Sequence, residues 1–356
     1  MGGTGGQQAV LTFSAGDLAR MRFAVSPMWQ VMAAFRLLKH GGHGVGGGQH
    51  RPWIEQVRPR LAAAGLDRGW LAELIPAAGY APDFLTPAPA GPAPALEQEL
   101  AAVRAAPAHR VRQDLDHLAH HRGGGPALSP GPGPGPGPGL GPRLRTLYAQ
   151  PEERLPRVAE EIEACWELAV APYWARIRAV LDADVLHRAR QTAEHGAAHL
   201  LGDLHPGVSW TGDALRLVRR QRTLNRETAG PGLVLLPSVF KGPGLSTRVA
   251  PPDPPQLVYP ARGTGSLWEA RPAGAAVSTS LAAVFGRSRT LLLTGLDAPA
   301  STTELARRTG LSPARVSQCM TALRDAGLVS SHRAGRSVLY ARTAAAEAVL
   351  AAAAST

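Results

Sequence analysis

The sequence predicts an α+β protein: a mainly helical region with a small antiparallel sheet, then a C-terminal unit of short helices closed by a hairpin. Three observations carry this. Apolar residues recur at helical spacing through much of 26–204, as in Met28, Val31, Met32, Phe35 and Leu38. After His205-Pro206 the texture changes to short alternating or apolar runs between proline-rich loops. Near the C-terminus, two short helical runs bounded by cap residues precede two alternating runs joined by a glycine-containing tetrapeptide.

Taken in order, 1–8 reads as disordered and 9–13 as a short strand. Ser14 caps a helix over 17–23, and Ser26-Pro27 starts the next, whose Met and Phe stripe reads as core. The glycine-rich break 41–48 lacks a preceding strand and a following Lys-Ser or Lys-Thr, so it is no phosphate loop. Helices are expected over 53–64, 70–75 and, amphipathic, 96–121. The stretch 129–142 alternates Gly and Pro with a period of two, unlike collagen, and reads as an inserted spacer. The longest helical region spans 152–204, with Leu155, Val158, Ile162, Cys165, Trp166 and Ala169 as its first stripe. Pro172 breaks it, and Trp174, Ile177, Val180, Leu181 and Val185 form a second stripe. Cys165 therefore belongs to the core. A hairpin about Gly212-Asp213 and strands over 233–240 and 256–259 follow, then a helix over 276–296.

The C-terminal stretch is the most informative. Leu305, Leu311, Val316 and Cys319 fall where two crossed helices must bury apolar groups, and Ala306 where they come closest. Gly310 ends the first helix; Ser312 caps the second and Pro313 starts it. Val316, Cys319, Met320 and Leu323 make one apolar face, leaving Ala314, Arg315, Ser317, Gln318 and Thr321 outside. Short side chains able to donate hydrogen bonds suit the reading of base edges in a major groove. Gly327 stops the helix, strands over 328–332 and 337–342 follow, and Arg333-Ala334-Gly335-Arg336 joins them. This order of elements is a helix-turn-helix with a wing.

The stretch resembles winged helix-turn-helix regulators of the ArsR type. Leu305-Ala306-Arg307-Arg308, Leu311-Ser312-Pro313, Val316-Ser317-Gln318, 323–329 and 335–340 carry the likeness, over the last fifth of the chain. The resemblance implies a dimeric transcriptional regulator, with flanking helices (276–296 and 344–354) forming the dimer. Metal-sensing members carry a Cys-x-Cys pair in the helix before the recognition helix. Here 302–309 has no Cys, so metal sensing through that site is not expected.

Formal net charge is +11, but only Lys39 and Lys241 are lysines, so the balance reflects Arg-rich composition as much as a partner. The local excess says more: Arg287, Arg289, Arg307, Arg308, Arg315, Arg324, Arg333, Arg336 and Arg342 face only Asp297, Glu304 and Asp325 across 281–342. Two cysteines exclude a disulfide framework or a Cys-rich zinc module and fit a reducing cytoplasm. No signal peptide or membrane span is expected.

The expected protein is a cytoplasmic, ligand-responsive DNA-binding regulator, which the resemblance makes a repressor, a homodimer on double-stranded DNA that takes a small-molecule effector. Its domains span 9–271, an α+β domain that senses the effector or joins protomers, and 276–354, the winged helix-turn-helix. Arg315, Ser317, Gln318 and Thr321 face the groove; Arg333, Arg336 and Thr303 contact phosphates. No cofactor, metal or catalytic residue is assigned. Two rivals stand beside this. An enzyme could use His195, His199 and Asp203 with a metal, since i, i+4 histidines share a helix face. The winged helix could instead bind protein. His117, His120 and His121 form a weaker metal cluster, Arg219, Arg220 and Arg222 a basic run, and Trp29, Trp53, Trp70, Trp166 and Trp174 a set able to line an apolar pocket.

Overall fold

The computed structural model describes residues 8–13, 15–41, 48–122, 139–206, 208–211, 214–218, 225–228, 232–268, 275–334 and 337–354. The chain begins with β1 (Gln8–Phe13), α1 (Ala15–Ala19) and β2 (Arg22–Phe23). The helix expected over 17–23 is thus cut short: Arg22 and Phe23 pair in parallel with Val234 and Leu235, a tertiary demand that overrides local preference. Then come α2 (Pro27–His40), α3 (Arg51–Ala63), α4 (Trp70–Leu74), α5 (Leu96–Arg104) and α6 (Ala108–Arg122). The single helix expected over 96–121 is two, because Pro107 disfavours helix at the residue before it and lacks the N–H to continue.

Next are α7 (Pro142–Ala149) and α8 (Pro151–Cys165), a π turn (Trp166–Val170), a 3-10 turn (Ala171–Tyr173), α9 (Trp174–His195) and α10 (Ala197–Asp203). The break expected at Pro172 is there, reached through a π turn that admits one extra residue before it. The apolar stripes of α2, α3, α5, α6 and α8 meet in one core: Met28, Phe35, Trp53, Val57, Leu100, Leu115, Val158 and Ile162 are all buried there. Each large side chain so removed from water contributes about 1.5–3 kcal/mol. Cys165 is part of this core, and burial pushes its thiol up to about 12, so it is no nucleophile at neutral pH.

The strands are β3 (Val208–Thr211), β4 (Ala214–Val218), β5 (Asn225–Thr228), β6 (Val234–Ser238), β7 (Ser246–Arg248) and β8 (Gln256–Pro260). The α+β class holds, but the pairing differs from one antiparallel sheet. The first sheet runs β3-β4-β1-β5, with β1 antiparallel to β4 and parallel to β5. The second runs β2-β6-β8-β7, parallel except for the edge strand β7. Every residue of β6 is buried, which is why its run is apolar without alternation.

The C-terminal unit comprises α11 (Ala275–Phe285), α12 (Arg287–Thr294), β9 (Ala300–Ser301), α13 (Thr302–Thr309), α14 (Pro313–Asp325), β10 (Val329–Ala334), β11 (Ser337–Arg342) and α15 (Ala344–Ala354). The helix expected over 276–296 is divided at Gly286. Its own core holds Leu292, Leu293, Leu305, Val316, Cys319, Met320 and Leu323. Among the described residues, no helix is long and apolar enough to cross a membrane.

Candidate nucleic-acid interface

The geometry of 301–342 follows from its caps. Ser301 Oγ accepts from Glu304 N at 3.2 Å to start α13, and Ser312 Oγ accepts from Arg315 N at 3.3 Å to start α14. Gly310 between them has φ +71°, a left-handed conformation that L side chains rarely adopt, and its N–H bonds Ala306 O. Glu304 and Arg308 pair along α13. Gly327, also at φ +71°, turns the chain from α14 into the wing. The wing is antiparallel, with Val329 opposite Arg342 and Arg333 opposite Val338. β9 adds a third strand through Ala300 and Ser301.

α14 buries Val316, Cys319, Met320 and Leu323 and leaves Ala314, Arg315, Ser317, Gln318 and Thr321 exposed. Among the described residues, no hydrogen bond or ion pair occupies the side chains of Arg315, Ser317, Gln318, Thr321, Thr303 or Arg333. Thr303 lies exposed in the first turn of α13, and Arg333 exposed near the wing tip. Arg336 lies outside the described residues. A helix with uncommitted donors on its open face, beside a wing carrying an uncommitted arginine, has the parts needed to read base edges and hold phosphates.

One residue that sequence reasoning missed ties this site together. Arg342, on β11, is buried and donates to Leu293 O at 2.7 Å and Thr294 O at 2.5 Å, the last carbonyls of α12. It therefore fixes the wing to the helix before the helix-turn-helix. The signal in the sequence was the two-residue alternation of the strand, which puts Arg342 on the same face as Tyr340.

The other sets do not assemble. The rings of His195 and His199 lie 4.8 Å apart, but Asp203 is held by Arg188 at 3.0 Å and Gln191 at 3.2 Å. His117 and His121 pack their rings on Tyr80. Among the described residues, no group of three or more His, Cys, Asp or Glu gathers as a metal site. The tryptophans serve packing: Trp53 lies in the main core, Trp70, Trp166 and Trp174 pack against it, and Trp29 packs on a smaller cluster. Trp53 packs on Phe240 and Trp268, Trp166 faces Trp174, Trp29 donates to Gln256, and Trp70 lies under Arg143. Arg219, Arg220 and Arg222 lie outside the described residues.

Fold and open face together define a winged helix-turn-helix DNA-binding domain at the C-terminus. Residues 291–330 match the family model described as winged helix-turn-helix DNA-binding. Residues 143–265 match a family of unknown function, DUF5937, over a stretch that runs from α7 through β8. No curated protein and no solved structure matches the chain.

Proposed function

We propose that the chain is a cytoplasmic, ArsR-type transcriptional repressor that responds to a small-molecule effector and binds its operator as a homodimer. The observation that carries the DNA-reading part is the open face of α14, with Arg315, Ser317, Gln318 and Thr321 uncommitted beside Arg333. In this reading those four side chains face the groove, while Thr303, Arg333 and Arg336 hold phosphates. The DNA-binding domain spans 276–354, and 9–271 senses the effector. α11 and α15 supply the dimer surface: they pack on each other through Leu281 and Leu350, and Val284 on α11 remains 76% exposed. No catalytic step is assigned to the chain.

Selection of bound duplexes from a random pool, with full-length protein at near-physiological salt, tests this. Recovery of a two-fold symmetric site with half-sites about one helical turn apart is the expected result. Gln318→Ala is then expected to relax preference at one base pair by roughly 1–3 kcal/mol. Unchanged preference would show that another face of α14 meets the bases.

A further inference from the structure

The wing has two faces, and the strand register sorts its residues between them. Val329, Tyr340 and Arg342 turn toward the core of the winged helix, where Val329 and Tyr340 join the apolar cluster. Ser330 and His332, with their cross-strand partners Ala341 and Leu339, lie on the opposite, outer face. In a wing that projected freely this outer face would meet solvent. Here Leu339 is 4% and Ala341 2% exposed. The π turn Trp166–Val170 lies against β10, and the 3-10 turn Ala171–Tyr173 against both strands.

Polar bonds fasten both ends of this contact. His332 Nδ1 donates to Glu167 Oε2 at 3.1 Å, and Ser330 Oγ lies 2.9 Å from His332 Nε2. At the base of the wing, Arg176 of α9 meets Glu347 at 3.3 Å, and Glu347 meets Arg342 at 3.6 Å. Ser330, His332 and Glu167 are bonded in the order of a hydrolytic relay. However, Ala341 O inside the sheet lies 3.3 Å from Ser330 Oγ and competes for its one hydroxyl proton, and Ser330 does not line the cavity at this interface. The row of bonds therefore fixes a position and performs no chemistry.

We propose that Glu167, in the N-terminal region, is a positioning residue for DNA binding: it holds the wing at the angle at which Arg333 reaches the phosphate backbone. This rests on the reading of the winged helix as the DNA-binding unit. The direction follows from what the contact leaves open. The α14 face and Arg333 are exposed while the outer wing face is covered, so the gripped arrangement is the DNA-competent one. The π turn also backs onto the main core, because Ala169 O accepts from Trp53 Nε1 at 2.8 Å. Tyr173 packs on Trp268, seven positions before α11 begins at Ala275. A change in that core thereby has a short route to the wing.

The test compares Glu167→Ala with Glu163→Ala in the full-length protein. Glu163 is an exposed residue of the same acidic stretch, one turn earlier, with no bond to the wing among the described residues. Each substitution removes one negative charge, which by itself favours DNA slightly. Affinity for the selected duplex and for a scrambled duplex is measured by anisotropy over a series of salt concentrations. Glu167→Ala is expected to weaken both duplexes by roughly fivefold to tenfold, with their ratio unchanged. The slope of log affinity against log salt should also become shallower by about one, as a phosphate contact is lost. Partial unfolding would reduce the active fraction without moving that slope. If Glu167→Ala matches Glu163→Ala, or binds more tightly, the positioning role is overturned while the DNA-binding reading stands. If the wild-type protein binds neither duplex, the DNA-binding reading fails and this role fails with it.

Discussion

Glu99 and His50 are buried ionisable side chains whose preferences oppose each other. Glu99 accepts from Ser26 Oγ at 2.5 Å and Met28 N at 2.9 Å at the start of α2, yet burial outweighs those bonds and pushes it up to about 7. His50 Nδ1 accepts from Trp268 Nε1 at 2.8 Å, and burial pushes the imidazole down to about 4. A raised carboxyl favours the fold when protonated. Its contribution is full below its ordinary value of 4.5 and is lost as pH rises to about 7. A depressed imidazole contributes above its ordinary 6.5 and loses that contribution as pH falls to about 4. The two dependences run in opposite directions over nearly the same window and largely offset each other. Each is on the order of 3 kcal/mol at 1.36 kcal/mol per unit. Urea unfolding from pH 4 to 7.5 separates them. Glu99→Gln should gain stability relative to wild type as pH rises, and His50→Gln should gain as pH falls. A pH-independent difference in either variant would remove that residue from the account.

Whole elements differ in how much of their structure is local. α13 and α14 rest on caps within a few residues of one another, so Ser312→Ala should cost about 1 kcal/mol in denaturant unfolding of the full chain. An unaltered midpoint would show that Ser312 contributes no net stabilisation to the start of α14. Because those signals are local, this unit was readable in the sequence almost residue by residue, including Gly310, Gly327 and the wing strands. Elements made by distant partners were not. β2 is two residues long and takes its partner from β6, more than 200 positions away, so nothing near Arg22 announced a strand. The π turn likewise left no local mark: Pro172 predicted a break, but not the geometry that carries Glu167 to the wing. The face of α14 was readable, because burial of Val316, Cys319, Met320 and Leu323 dictates which side chains remain outside. The hold on the wing was not, since it joins residues 165 positions apart.

At the scale of the whole molecule, the homodimer proposed above places its contact on α11 and α15. α15 is almost entirely alanine, with Ala345 and Ala348 exposed, and it lies along α11, where Val284 is 76% exposed. Small side chains let helices approach closely, and an exposed valine beside them supplies an apolar contact at the centre. A two-fold axis through this surface would make the contact isologous and place two α14 helices on opposite half-sites of one duplex. Val284→Asp tests this directly. The position is exposed in the single chain, so the thermal midpoint extrapolated to low protein concentration should stay within a few degrees of wild type. Light scattering is expected to report a dimer for the wild type and a monomer for the variant. Binding to a duplex with one half-site should persist, while the gain from adding the second half-site should disappear. A dimer that survives Val284→Asp with its two-site binding intact would move the subunit contact away from α11 and α15, leaving the alanine-rich face of α15 for some other contact.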